Sequence, residues 1–424
     1  MSRPLTRATE VPWWKEPTRR QWFAFLAAWS GWVLDAFDFT IFFLVMKEIG
    51  DEFGVSTLAT TGSITLTLIA RLAGGFAAGS LADRYGRRLP LMLSIVGFSL
   101  CDGLVALAPS FAFVLVMRTL FGFFMGAEWT AGTTLAMESW PARSRGIASG
   151  ILQGSWAVGY LLAAPVYGWV VPVWGWRGLF VVAALPALLI LPIRFLVRES
   201  PEWQRSPREH APRVPFRQLI AIPGWASTVM WSTVIMACGF GVYYGLAALY
   251  PTLLKTELGA ADSVAPLTAL FNVGMLVGAV ITGWLAGKRG PIPAIAIPAL
   301  LMIPFLPLYV GAVPELLPLG AFLAGAVGVG FCGVTPLLLT SLFAPEVRAR
   351  SVGLVYHLGA IPAAFAATGI AMLSQATGMT LAVTIAVTAG ALELLLATAL
   401  IIARFKLGAA PAQPAEPSMA LDAK

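Results

Sequence analysis

The stretch Trp32-Val33-Leu34-Asp35-Ala36-Phe37-Asp38-Phe39-Thr40-Ile41-Phe42-Phe43 sets two carboxylates inside a segment otherwise apolar enough to cross a bilayer. A span from about Trp22 to Met46 puts Asp35 near the midplane, where an ionised side chain costs roughly 2.5 to 3.5 kcal/mol on insertion scales. Asp35 and Asp38 are three residues apart and so share one face of a helix. Two such acids need partners. The reading that follows is an all-α integral membrane protein with its function in a polar cavity faced by this helix. The plainer alternative is that the two acids only join helices through ion pairs.

The rest of the chain has the composition this reading requires. Its 424 residues are 58% hydrophobic and 12% charged, and its long apolar runs exceed what a soluble core needs. The first apolar run is too long for a secretory signal and has no small-residue cleavage site, so it is expected to remain as a span. Cys101, Cys238 and Cys332 all fall within apolar runs. Three thiols at lipid depth argue against a disulfide framework or a zinc site and read as packing residues. No Walker loop, HExxH or GxSxG occurs, which excludes nucleotide hydrolysis and the familiar intramembrane hydrolases. No enzyme activity and no cofactor are expected. The net charge of +7 matters through its placement, not as a surface for nucleic acid.

Hydropathy and helix breakers give twelve spans, near 22–46, 56–81, 89–108, 111–136, 146–168, 177–197, 225–249, 264–286, 292–312, 316–342, 352–373 and 380–403. With the amino terminus on the cytoplasmic side, nearly all of the 28 Lys and Arg fall in inner segments; the exceptions are Lys47, Arg177 and Lys255 outside, and Arg71 and Arg118 within spans. Both termini are therefore expected in the cytoplasm and the protein in a plasma membrane, the bacterial inner membrane. Residues 198–218, rich in Pro and Arg, read as a cytoplasmic linker between six-helix bundles at 1–197 and 219–424. His210 in this linker reads as a solvated side chain.

The two halves repeat. Gly79-Ser-Leu-Ala-Asp83-Arg84-Tyr-Gly86-Arg87-Arg88 after the second span is echoed after the eighth by Gly283-Trp-Leu-Ala-Gly287-Lys288-Arg289-Gly290. Pro141-Ala-Arg143-Ser-Arg145 after the fourth span is echoed at nearly the same offset by Glu346-Val-Arg348-Ala-Arg350. Parallel six-helix repeats are a way of building a central site between two rocking halves. The first of these loops resembles the signature of the major facilitator superfamily, and Arg118-x3-Gly122-x3-Gly126 is similar to its second motif. WVLDAFDF, Arg71 before Gly74-Gly75, GAEW at 126–129, ESWPARSRGIASG from Glu138 and VVPVWGWRGLF from Val170 resemble the sialate:proton symporters, a group that includes sialic acid importers and lactate and pyruvate permeases. The likeness is dense over 22–203 and generic beyond. It implies a monomeric, proton-coupled importer of an organic carboxylate by alternating access. This chain lacks the extra hydrophobic segments that some sialic acid transporters have in the middle linker, and it has Gly287 where the first loop has Asp83, which suggests an asymmetric cytoplasmic gate.

Counted from the outer surface at about 1.5 Å per residue, Asp38, Asp102 and Arg118 lie at one depth and Asp35, Arg71 and Glu128 at a deeper one. Four acids against two arginines leave two carboxylates without a fixed cation. Burial disfavours the charged form of such groups, which makes Asp35, Asp38, Asp102 and Glu128 the candidate proton carriers. Arg keeps its proton and grips a carboxylate with a planar fork, so Arg118, and after it Arg71, are the candidate anchors for an anionic substrate. The alternative for Arg118 is a structural pairing with Asp102. Tyr243, Tyr244 and Asn272, with Thr335 and His357, are the groups of the second half best placed to line a cavity, His357 more naturally as a packing residue. Glu393 in the last span has no evident role. Gly122 and Gly126 suit a close approach of helices. Gly79, Asp83, Arg84, Gly86, Arg87, Arg88, Arg143 and Arg145 resemble the family's cytoplasmic gate, against the alternative of a charged loop that serves topology alone. The competing functions are a drug or metabolite:proton exporter, which Gly159–Gly168, GYLLAAPVYG, matches poorly, and a transporter-like sensor that moves nothing.

Overall fold

A computed structural model describes residues 12–195, 197–205 and 216–407. The two ends of the chain and the middle of the expected linker, with His210, lie outside the described residues. The regular elements described are helical. The first five are α1 (Arg19–Phe53), α2 (Thr57–Tyr85), α3 (Arg88–Ala106), α4 (Phe111–Ser139) and α5 (Arg145–Phe195), with the short α6 (Pro201–Arg205) and α7 (Phe216–Ala221) after them. Then come α8 (Trp225–Ala247), α9 (Tyr250–Thr256), α10 (Val264–Arg289), α11 (Pro291–Met302), α12 (Leu306–Tyr309) and α13 (Leu317–Leu323). The chain closes with α14 (Thr335–Ser341), α15 (Arg348–Ala363), α16 (Ala366–Thr377) and α17 (Leu381–Leu407).

The boundaries follow local chemistry. Thr18 and Gln21 form a capping box at the start of α1, which ends at Gly54 in the left-handed region. Ser56 and Ser110 cap α2 and α4 through their hydroxyls. Among the described residues, eleven helical stretches are long and apolar enough to cross a membrane, where the sequence suggests twelve, and the difference arises at one place. Residues Ala142–Leu185 run on as a stretch of 44 residues, about 66 Å if straight, roughly twice a ~30 Å hydrocarbon core. Within it Gly175 takes φ 64° and ψ −174°, a conformation that breaks α5 where the fifth expected span gives way to the sixth.

This is a multi-pass membrane protein. Ile69, Leu100, Trp169, Val173 and Met372 each expose more than half of their surface, as side chains solvated by lipid do. Inside, α1 lies along α5, α2 against α4, and α3 against both α4 and α5; later in the chain α8 packs on α15 and α17. The two sets are joined through α5 with α10 and α2 with α15. Gly122 and Gly126 bring α4 onto the backbone of α2: a Cβ on either would come within 2.2 Å of a carbonyl oxygen of Thr67 or Arg71.

Candidate functional site

A partly open cavity lies between the two sets of helices. Aromatic rings form part of its wall, among them Trp32 from α1, Trp156 from α5, Phe240, Tyr243 and Tyr244 from α8, and Tyr356 from α15. The Trp156 indole N–H donates to the Tyr243 hydroxyl over 3.1 Å and so ties α5 to α8. Among the described residues, Arg71 of α2 is the one charged residue in the lining. Its guanidinium carbon lies 5.3 Å from the Trp32 ring and 5.6 Å from the Tyr356 ring. Its Nε and one terminal nitrogen are buried with no hydrogen-bond partner. Aromatic faces steady a cation but cannot take its in-plane N–H groups, and donors left unmet in a buried place are costly. Both nitrogens are closed off from the cavity space here, so a carboxylate would meet them only after the side chains around the guanidinium shift.

Arg118 occupies a different place. It stands outside the cavity lining, its terminal nitrogen 3.6 Å from Asp102 Oδ1 and its guanidinium 4.4 and 4.1 Å from the rings of Phe42 and Phe121. Asp38 faces Asp102, so two carboxyls from α1 and α3 share one guanidinium from α4, all of them buried. The three residues that sequence depth groups together thus meet in space. Of the deeper group, Asp35 is buried on α1 one turn from the cavity residue Trp32. Glu128 accepts a hydrogen bond from Ser94 at 2.7 Å.

Of the candidates from the second half, Tyr243, Tyr244 and Thr335 line the cavity. Asn272 is not in the lining; it donates to the Thr268 carbonyl one turn back on α10, at 2.9 Å. The His357 ring packs on α4, its Nε2 3.2 Å from the Gly126 carbonyl. Glu393 is buried in α17 with neither carboxylate oxygen hydrogen-bonded.

At the end of the molecule that carries the 79–88 loop, the two sets of helices touch backbone to backbone. A Cβ on Gly79 would come 2.5 Å from the Cα of Arg350. Asp83 accepts hydrogen bonds from the backbone N–H groups of Ala349 and Arg350, at 3.1 and 3.0 Å, in the first turn of α15, where a negative charge also meets the positive end of the helix. Arg87 is fully buried and grips Glu138 with two hydrogen bonds of 3.0 and 2.9 Å. Arg348 also reaches Glu138, at 3.0 Å, and pairs with Glu202; Arg145 pairs with the other oxygen of Glu202 at 3.1 Å. Glu199 caps the start of α3 through the N–H groups of Arg87 and Arg88, next to Gly86. Arg84 covers the Tyr85 ring, and Arg143 lies beside Glu16 and Lys288 in a surface cleft. Glu138, Glu199, Glu202 and Arg348 were not among the gate residues expected. The signal for two of them was the pair of acids in Glu199-Ser-Pro-Glu202, a turn-and-cap pattern just after the last span of the first half.

Among the described residues, no group of three or more His, Cys, Asp or Glu could hold a metal ion. Residues 28–367 match the model of the Major Facilitator Superfamily. The sialic acid transporter NanX of Escherichia coli (strain K12) is 30% identical over 82% of this chain and 86% of its own length. The cis,cis-muconate transport protein of Acinetobacter baylyi (strain ATCC 33305 / BD413 / ADP1) is 29% identical over 83% of this chain and 87% of its own. Among solved structures, the proton:xylose symporter XylE superposes with a TM-score of 0.73 over 91% of this chain and 95% of that one, at 19% identity.

Proposed function

From the premise that the chain belongs to the major facilitator superfamily, we propose that it is a secondary active transporter that imports a small organic carboxylate together with protons. The observation that carries this is Arg71: a permanent cation facing a cavity with N–H groups unmet, next to aromatic walls suited to the rest of an organic anion. NanX and the muconate protein are named for acids, which supports the same class. The substrate binds on Arg71 and the proton on the Asp38–Asp102 pair, which has one cation, Arg118, between two carboxyls and reaches neutrality by holding one proton.

The proposed architecture is twelve spans in two six-helix bundles, 1–197 and 219–424, with α5 counted as two spans that meet at Gly175 and with both termini cytoplasmic. The two bundles rock about the cavity, and the protein acts as a monomer in the bilayer. The 79–88 segment, the last turns of α2 and its junction with α3, forms the cytoplasmic gate, which has to part when the cavity opens to the inside.

Uptake of labelled carboxylate into proteoliposomes is the direct test. Accumulation is expected to follow an inward proton gradient and to stop when an ionophore collapses it; uptake indifferent to the gradient would rule out proton symport. A second expectation concerns the gate. Asp83→Asn keeps an acceptor at the start of α15 but removes the charge, so it should slow transport several-fold while leaving carboxylate affinity within about twofold, since Asp83 is not part of the cavity. Equal losses of binding and transport would count against the gate assignment.

A further inference from the structure

Among the described residues the cavity offers one cation, and Trp32 Nε1 and Gln153 Oε1 in its wall are buried with no hydrogen-bond partner. Besides Arg71, its polar groups are Gln153, Thr335, indole N–H groups and tyrosine hydroxyls, and the Trp156 N–H is already committed to Tyr243. The remaining wall is carbon and sulfur, including Met236, Met275, Ile295, Leu338 and Leu396. A polyhydroxylated acid would bring a row of hydroxyls into this wall, and each one left unpaired weakens binding by about tenfold or more. A second carboxylate would be buried without a cation. The rings, by contrast, present both faces and edges. Trp32 and Trp156 lie 4.9 Å apart with their planes inclined by 41°, and Phe240 meets Tyr356 edge-on at 4.9 Å. Tyr356 and Trp32 also flank Arg71 itself.

We infer that the cavity selects a flat, conjugated monocarboxylate: an aromatic ring bearing a single carboxyl group. The carboxylate sits on the Arg71 guanidinium. The ring lies among Trp32, Trp156 and Phe240, where it stacks on one partner and meets another at the edge, the two arrangements that aromatic quadrupoles favour. This rests on the reading of the cavity as a carboxylate site and narrows its ligand.

Calorimetry on the full-length protein in detergent tests it, with benzoate, cyclohexanecarboxylate, terephthalate, lactate and N-acetylneuraminate as probes. Benzoate is expected to bind about tenfold or more tightly than each of the others. Trp156→Leu should cost benzoate about 3- to 10-fold, the range that aromatic pairing supplies beyond area, and Trp156→Phe should stay within about threefold of the parent. Tighter binding of lactate or N-acetylneuraminate than of benzoate overturns the inference and leaves the carboxylate reading standing. So does cyclohexanecarboxylate equal to benzoate, or a Trp156→Leu variant with unchanged affinities. Binding of none of the five removes the carboxylate reading itself.

Discussion

Replacing Arg71 by alanine is expected to weaken carboxylate binding by about 2 to 5 kcal/mol, roughly 30-fold to several thousand-fold, as truncation of a buried charged partner does. The loss should be the same from pH 5 to pH 8, because a guanidinium keeps its proton throughout. Arg118→Ala should behave differently. Arg118 is walled in by Phe42 and Phe121 and paired with Asp102, so its loss leaves Asp102 buried without a cation and is expected to disturb coupling and stability more than affinity. Calorimetry on both variants, with thermal melting alongside, separates the two roles. An Arg118 variant that loses binding while the Arg71 variant keeps it would reverse the assignment.

Asp38→Asn is expected to abolish gradient-driven accumulation while sparing exchange. The amide imitates the protonated acid, and with Asp102 then matched one to one by Arg118 the cluster no longer needs a proton at any stage of the cycle. Substrate should still cross in counterflow at a rate within a few-fold of the parent, and its affinity should no longer vary with pH between 5 and 8. The sign follows from charge: in the parent, a proton on the Asp38–Asp102 pair brings the cluster to neutrality, so affinity for the anion falls as pH rises and that proton leaves. Asp35→Asn is the comparison. If it loses accumulation and Asp38→Asn retains it, the proton travels on Asp35.

The spans were legible because a bilayer demands long apolar runs. That Asp38, Asp102 and Arg118 share a level was legible from depth, since the helices cross the same slab; that their helix faces meet was not. Which arginine faces the cavity was not. Depth says nothing of azimuth, and whether Arg71 turns toward Tyr356 or Arg118 toward Phe42 is decided by how α2 and α4 roll against each other. The break at Gly175 falls in the gap expected between the spans near 146–168 and 177–197, but that the residues on both sides of it remain helical was not legible. The Glu138, Glu202 and Arg348 network was hidden because its members come from three distant segments. Only the folded chain brings them within reach of one another.

Arg71 and Asp83 stand twelve residues apart on the same unbroken helix, α2, about 18 Å along a single rod. Between them, Gly75 and Gly79 rest on α15, the first against the His357 ring and the second against the backbone of Arg350. A rod with its load at one end, its latch at the other and a bearing in between is a lever. Were an anion on Arg71 to shift this rod, Asp83 would be carried with it.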